Sequence, residues 1–255
     1  MKHPIYIGTV LLEPNRWMPG KPPTIRVGDW FEAIAAAGFD GIELWENHAR
    51  LLDAESRRIS PLPIAVLNSY AACDDSGRAA RDEATRQAVE LDARAIKFNL
   101  GPDSALRETY ATTVRQWLDS LPSNISLLCE CHPGTVMEDP AAAARYFEAF
   151  DSPRVKAIIH PMGKPVDELR RWFQCLGPER IAHAHIQLRD AADNPIRLDR
   201  EPERVKETLT ALAEEGFTGS FTIEFTEGVG NTPEDVQELW QNAVADLNLL
   251  REMLQ

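Results

Sequence analysis

The sequence predicts an α/β fold, a single-domain (β/α)8 TIM barrel that spans residues 1–255. Eight short apolar runs alternate with helical segments, and this alternation implies parallel strands joined by right-handed crossovers. The length of 255 residues is close to the roughly 250 that are typical of such a barrel. The alternative, an open doubly wound sheet, usually carries a GxGxxG turn after its first strand, and this chain has none there.

The eight apolar runs define the predicted strands. Most are continuously hydrophobic, as expected of parallel strands that are buried on both faces. They cover Ile5–Gly8, Gly41–Trp45, Ile64–Asn68, Ala95–Leu100, Ser126–Cys131, Val155–Ile159, Ile181–Gln187 and Ser220–Phe225.

The segments between the strands have apolar residues at helical spacing, together with residues that start or stop helices. Gly38 is expected to end the first helix, Asp139 to cap the helix that starts at Pro140, and Thr232 to precede the last helix. The predicted helices cover Asp29–Ala37, a region near Ala49–Arg58, Arg78–Leu91, Ser104–Leu121, Pro140–Phe150, Val166–Leu176, Glu203–Glu215 and about Pro233–Leu254.

The composition excludes several classes of protein. The net charge of −13 argues against a nucleic-acid partner, because nucleic-acid binding depends on a basic surface. No apolar run reaches the roughly 18 residues of a membrane span, and the N-terminus lacks the pattern of a signal peptide. The four cysteines do not form a disulfide framework in a chain of this length. We therefore expect a cytoplasmic protein without nucleic-acid or membrane partners.

Four strands close on side chains that bind metals. Glu130 lies at the end of the fifth predicted strand, His160 follows the sixth, His185 lies near the end of the seventh and Glu224 near the end of the eighth. The carboxyl ends of barrel strands meet at the face that carries catalysis, so these groups are expected to converge. Carboxylates and imidazoles at one point predict a divalent metal site. The alternatives are structural salt bridges for the glutamates and ordinary core or loop positions for the histidines.

Further polar side chains at strand ends and in two long loops are candidates for binding substrate. Arginines in the loops 11–26 and 188–202 could hold a carboxylate or phosphate. The strand-end groups resemble a hydrogen-bonding wall for a polyol, although each of them could equally be interior packing. The candidates are His132, Glu43, Trp45, Asn68, Lys97, Trp17, Arg16 and Arg189.

Four fragments, in order and at suitable spacing, resemble the sugar isomerase/epimerase superfamily of xylose-isomerase-like TIM barrels. Ala37–Trp45 is similar to that family's passage from helix 1 into strand 2, and Glu130–Thr135 to its strand-5 end. Ala184–Asp190 is similar to its strand-7 end with a metal-binding histidine, and Thr222–Glu224 to its strand-8 glutamate. The resemblance covers essentially the whole chain.

The resemblance implies that Glu130, His160, His185 and Glu224 hold one divalent metal ion. The family usually has aspartate where this chain has His160, and histidine where it has Gly163. Two imidazoles beside two carboxylates make a softer site, which favours manganese, zinc, iron or cobalt over magnesium.

The function we expect is a metal-dependent isomerase or epimerase of a small sugar or polyol-derived ketone. Glu130 and Glu224 would move the proton next to the carbonyl, one from each face. A dehydratase or lyase that acts on a cyclic polyol or keto acid would use the same groups. A nuclease-type phosphodiesterase is disfavoured by the acidic charge. A non-catalytic sugar-binding protein with a degenerate metal site remains the third alternative. The partner is expected to be a small polyhydroxylated substrate, and the resemblance is compatible with a homodimer or homotetramer.

Overall fold

The computed structural model describes residues 3–18, 21–52 and 60–255, and it confirms the predicted (β/α)8 barrel. Eight parallel strands close into one barrel, in which each strand pairs with its neighbours in the chain and the first pairs with the last. The strands are β1 Ile5–Gly8, β2 Gly41–Trp45, β3 Ile64–Asn68, β4 Ala95–Phe98, β5 Ser126–Glu130, β6 Val155–Ile159, β7 Ile181–Ile186 and β8 Ser220–Ile223.

Eight α-helices in the described part of the chain surround the barrel. They are α1 Phe31–Ala37, α2 Glu46–Leu51, α3 Arg78–Glu90, α4 Arg107–Ser120, α5 Pro140–Phe150, α6 Val166–Leu176, α7 Pro202–Glu214 and α8 Val236–Met253. None of these helices is both long and apolar enough to cross a bilayer. A short antiparallel hairpin, Leu188–Arg189 with Pro195–Ile196, projects after β7.

Two of the predicted helix boundaries are confirmed by their capping groups. Gly38 ends α1 in the left-handed region, with φ of 94°, which glycine adopts without strain. Asp139 caps α5 by accepting a hydrogen bond from the backbone N–H of Ala142 at 2.9 Å, and Pro140 occupies the first turn.

Other boundaries differ from the predictions. The last helix begins at Val236 rather than behind Thr232, because the side chain of Asp235 caps it by accepting from the N–H groups of Gln237 and Glu238. The second helix begins earlier than predicted, at Glu46, and residues 53–58 of that prediction lie outside the described part of the chain. Four strands end one or two residues earlier than predicted, at Phe98, Glu130, Ile186 and Ile223.

Strand alternation divides the barrel interior into an apolar layer and a charged layer. Residues two apart on a strand share a face, and several inward-facing columns start with an apolar side chain and end with a polar one, whereas the column of β8 is polar from Ser220 through Thr222. The lower layer contains the buried cluster of Tyr6, Ala65, Val66, Ala95, Leu128 and Ile158. Toward the carboxyl ends of the strands, polar and charged side chains follow, all of them buried: Glu43, Asn68, Lys97, Glu130, His185 and Glu224. The fold therefore concentrates ionisable groups at one mouth of the barrel.

Candidate metal centre

The buried carboxylate of Glu130 contacts four other side chains. Its Oε1 accepts from Nε2 of His160 at 2.8 Å and lies 3.2 Å from Nδ1 of His185. Its Oε2 lies 2.8 Å from the ammonium of Lys97 and accepts from the amide of Asn99 at 2.7 Å. Burial by itself raises the pKa of Glu130, but the Lys97 ammonium and the two imidazoles outweigh it and hold this pKa well below its ordinary value. Glu130 is therefore an ionised group at the barrel axis.

Each ring nitrogen of His185 contacts at least one carboxylate. Its Nδ1 is 3.2 Å from Oε1 of Glu130 and 3.3 Å from Oε1 of Glu224, whereas its Nε2 is 3.2 Å from Oε2 of Glu43. Burial lowers the pKa of His185, but the carboxylates of Glu224, Glu43 and Glu130 together raise it well above its ordinary value. Both nitrogens consequently carry a proton here. A metal ion at Nδ1 would replace one of these protons and leave the bond to Glu43.

Gln187 connects two of the predicted ligands, and its amide orientation is fixed by charge. The guanidinium of Arg189 donates to Oε1 of Gln187, so that oxygen faces Arg189. Nε2 of Gln187 then donates to Oε2 of Glu224 at 3.1 Å and faces Nδ1 of His160 at 2.8 Å. Nδ1 of His160 must accept this bond, and its Nε2–H therefore donates to Glu130.

The four predicted ligands meet at one point. Their donor atoms lie within 4.8 Å of one another, and all four residues are buried. Metal–ligand bonds of about 2.0–2.2 Å separate neighbouring ligands of a tetrahedral site by roughly 3.3–3.6 Å, which is close to the 3.2 and 3.3 Å observed around Nδ1 of His185. Glu130, His185 and Glu224 fit a metal ion once the His185 proton leaves. His160 joins them through Nε2 only when that nitrogen loses its proton and the Gln187 amide rotates.

The groups beneath this cluster form a second network. Glu43 accepts from Asn68 at 3.0 Å and lies 3.3 Å from Nε2 of His183. Burial raises the pKa of Glu43, but the imidazoles of His185 and His183 hold it well below its ordinary value. Burial also lowers the pKa of His183, whose nitrogens contact the hydroxyls of Ser220 and Thr222 at 2.7 and 2.8 Å. Glu43, His183 and His185 could also hold a metal ion. Because His185 already donates to Glu43, we assign Glu43 to orienting that ring.

The structure brings some predicted substrate-binding residues to the centre and leaves others apart. His132 is exposed, and its ring centroid lies 5.6 Å from that of His160. Lys97 is buried against Glu130, and Asn68 is buried against Glu43. Trp45 is buried at the end of β2, where its backbone N–H donates to Thr9.

Two predicted substrate-binding residues of the loop after β1 have other partners. Nη1 of Arg16 donates to both carboxylate oxygens of Glu234, at 2.6 and 2.9 Å, and its Nε and Nη2 donate to the backbone carbonyls of Val10 and Leu11. Trp17 is 61% exposed and contacts Phe225. Arg16 therefore anchors this loop, and its guanidinium is occupied by those partners.

A cleft of about 530 Å³ leads to the cluster. Its lining includes His132, His160, Gln187, Lys164, Arg189 and Arg204. A larger groove of about 940 Å³ lies between α6 and α7 and is lined by none of the four predicted ligands. The smaller cleft is therefore the approach to the centre.

The network also includes Gln187, Asn99 and His183, which are not among the predicted site residues. Gln187 lies two positions after His185, His183 two positions before it, and Asn99 two positions after Lys97. Strand parity, with a period of two, was the signal that could have identified them.

Comparison with known proteins places the chain in a family. The family model described as a xylose isomerase-like TIM barrel matches residues 31–244. Comparison with curated proteins gives no match.

Similar solved structures cover almost the whole chain. The probable 3-DHS dehydratase AsbF from Bacillus anthracis is 19% identical, with a TM-score of 0.72 over 97% of this chain and 98% of that one. A D-psicose 3-epimerase is 14% identical, with a TM-score of 0.69 over 98% and 99%. A xylose isomerase-like TIM barrel protein from Mycobacterium smegmatis, in complex with magnesium, is 17% identical, with a TM-score of 0.68 over 100% and 98%. At these identities the likeness establishes the fold, and the match of the family model shows that the chain belongs to the xylose isomerase-like TIM barrel family.

Proposed function

We propose that the protein is a metal-dependent isomerase or epimerase that moves a proton next to the carbonyl group of a small sugar or polyol-derived ketone. One observation carries the proposal. Two buried carboxylates, Glu130 and Glu224, flank two imidazoles at the carboxyl ends of successive strands, and contacts of 2.8–3.3 Å link them. Such a set combines metal ligands with groups that exchange protons.

The donor set supports a transition metal ion. We assign Glu130, His185 and Glu224 as ligands, with His160 as the fourth. Two imidazoles favour manganese, zinc, iron or cobalt over magnesium. When bound, the ion supplies Lewis acidity toward the carbonyl and hydroxyl oxygens of the substrate.

The two glutamates have different surroundings, and this assigns them different roles. Lys97 and Asn99 occupy Oε2 of Glu130 and oppose its protonation. Glu224 has the neutral amide of Gln187 at Oε2 instead. In this proposal Glu224 removes the proton first, and Glu130 acts from the other side of the substrate. The hydroxyl groups of the substrate would extend into the cleft past His132.

A dehydratase is the second candidate, and the position of His132 favours it. This histidine is exposed in the cleft beside His160, and its Nδ1 contacts the backbone carbonyl of Pro133 at 2.6 Å. Nε2 of His132 is then directed away from that carbonyl, and in the imidazolium form it carries a second proton that could pass to a departing hydroxyl. The same proton removal by Glu224 would precede that step, so the two candidates differ only in the presence of a leaving group.

Elemental analysis of protein purified without added metal tests the proposal first. We expect about one equivalent of a transition metal in the wild type and its loss in Glu224→Ala. The control is Glu252→Ala, an exposed glutamate of α8. Metal-loaded protein would then be incubated with ketoses and cyclic keto-polyols in deuterium oxide, and the products examined for exchange, epimerisation or dehydration.

The outcomes separate the candidates. Epimerised products support the first function and dehydrated products the second. Wild-type protein that stays free of metal after metal is supplied would contradict both.

A further inference from the structure

We propose that the cleft beside the metal centre contains an anion subsite, formed by Arg189, Lys164 and Arg204, so that the substrate carries a carboxylate or a phosphate group. This inference deepens the proposed function and rests on it for the identity of the reacting centre. Binding of the anion itself can be measured without turnover.

The charge of the cleft is the first support. The whole chain has a net charge of −13, yet the cleft is lined by three cations and by only two carboxylates, those of Asp190 and Asp193. Asp190 is directed into its own turn, where it accepts from the backbone N–H groups of Ala192 and Asn194. Asp193 is 85% exposed at its side chain and lies 3.6 Å from Arg189. An exposed pair of this kind contributes little and is easily displaced by a ligand.

Arg189 is held in place and still has donors available. Its Nε and one N–H of Nη2 donate to Gln187, and one N–H of Nη1 donates to the backbone carbonyl of Asp193 at 2.6 Å. A guanidinium has five N–H donors. Among the described residues, two of these donors, one on each terminal nitrogen, therefore have no hydrogen-bond acceptor. Terminal N–H groups of a guanidinium are well suited to bind a carboxylate or a phosphate.

The other two cations border the same cleft and are paired on its outer side. Lys164 pairs with Glu168, and Arg204 pairs with Glu201 at 2.6 Å. Neither Glu168 nor Glu201 lines the cleft. Arg204 also donates to the backbone carbonyl of Gly163 at 2.6 Å. A Cβ at Gly163 would lie 3.2 Å from this guanidinium, so glycine permits the close approach.

The location of Arg189 links the subsite to the chemistry. The Gln187 amide alone separates its guanidinium from Glu224 and His160. A substrate whose carbonyl lies at the ligand cluster would place an anionic group a few bonds away against Arg189. The inferred substrate class is therefore a hydroxyketone with a carboxylate or a phosphate ester on the same small skeleton.

Anion binding to full-length, zinc-loaded protein tests this inference. Ligand-observed NMR would give dissociation constants for methylphosphonate and succinate in the wild type, Arg189→Gln and Lys164→Gln. The control is Arg86→Gln, because Arg86 forms similar exposed pairs on α3. We expect Arg189→Gln to weaken binding roughly tenfold or more, Lys164→Gln to weaken it less, and Arg86→Gln to leave it unchanged. Tighter binding of methylphosphonate indicates a phosphate ester, and tighter binding of succinate indicates a carboxylate.

Two results would overturn the subsite. One is binding of neither probe by the wild type. The other is equal binding by the wild type and Arg189→Gln, which would place the anion on the metal ion. Isothermal titration of zinc into each variant shows whether the metal centre is intact. Anion binding that depends on Arg189 in a protein without turnover would retain the subsite and reject the proposed function.

Discussion

At the scale of single residues, Lys97 keeps Glu130 of the candidate metal centre in its ionised form. Its ammonium is fully buried, lies 2.8 Å from Glu130 and 4.0 Å from the ring centroid of Tyr70, and donates to Asn99. Burial lowers the pKa of Lys97, but the Glu130 carboxylate raises it above its ordinary value. An ammonium in this position keeps Glu130, one of the proposed metal ligands, in its charged form before any metal ion binds.

Replacing Lys97 should therefore destabilise the metal-free protein. Lys97→Met leaves the buried Glu130 carboxylate without its cation, and removing one partner of a buried pair costs about 3–5 kcal/mol. The double variant Lys97→Met/Glu130→Gln removes both charges and should recover much of that loss. Urea unfolding in the presence of a chelator measures both values. A single variant as stable as the wild type would show that the pair does not hold Glu130 in its ionised form.

The residue-scale predictions were only partly accessible from sequence. The convergence of the four ligands could be predicted because each follows an apolar run of known direction. The separate environments of Glu130 and Glu224 could not, since Lys97 and Gln187 are distant from them in the chain. The ion pair between Arg16 and Glu234 could not be predicted either, because the two residues are 218 positions apart.

At the scale of elements, Asp246 of α8 connects two loops at the carboxyl ends of the strands. Its Oδ1 accepts from the backbone N–H of Leu198, after β7, at 2.8 Å. Its Oδ2 accepts from the hydroxyl of Thr226, after β8, at 2.6 Å. Burial raises the pKa of Asp246 to about 7. A helix of the outer layer thus holds loops that border the candidate centre.

Because the pKa of Asp246 is raised, its contribution to the free energy of unfolding should decrease as the pH rises. Between about pH 4 and pH 7 the folded state retains a proton that the unfolded chain releases, so this contribution to the free energy of unfolding falls as the pH rises. It is complete below about pH 4 and lost above about pH 7, with a total of roughly 4 kcal/mol. Asp246→Asn should flatten the pH dependence across this window. Urea unfolding from pH 4 to pH 8 tests it, with Asp119→Asn, an exposed aspartate of α4, as the control. Parallel pH profiles for Asp246→Asn and wild type would contradict the expectation.

At the scale of the whole molecule, the barrel assembles a cluster that repels itself unless protons or a metal ion neutralise it. Glu43, Glu130 and Glu224 surround the single ring of His185, whose pKa they raise well above its ordinary value. Metal ligands must lose their protons, so binding of a metal ion should release protons, and its affinity should rise with pH.

The metal ion should accordingly stabilise the entire fold. A ligand at one hundred times its dissociation constant adds about 2.7 kcal/mol to the free energy of unfolding. For a chain of this length that corresponds to an increase in Tm of roughly 5–10 °C. Thermal unfolding with zinc or manganese, with chelator, and at pH 6 and pH 8 measures this effect. The shift should be larger at pH 8 and absent from Glu224→Ala. An equal shift in that variant would place the metal ion elsewhere.

The sequence by itself determined the architecture and the location of the centre. Alternating apolar runs and amphipathic helices specify local geometry, and parallel strands bring their carboxyl ends to one face for a purely topological reason. Only the tertiary structure decided which side chains form hydrogen bonds and ion pairs with each other. Closure of the barrel places Glu43 against His185, 142 positions apart, and Lys97 against Glu130. A hydrogen bond requires that two side chains of different strands lie about 3 Å apart. The order of residues along one strand does not determine such distances.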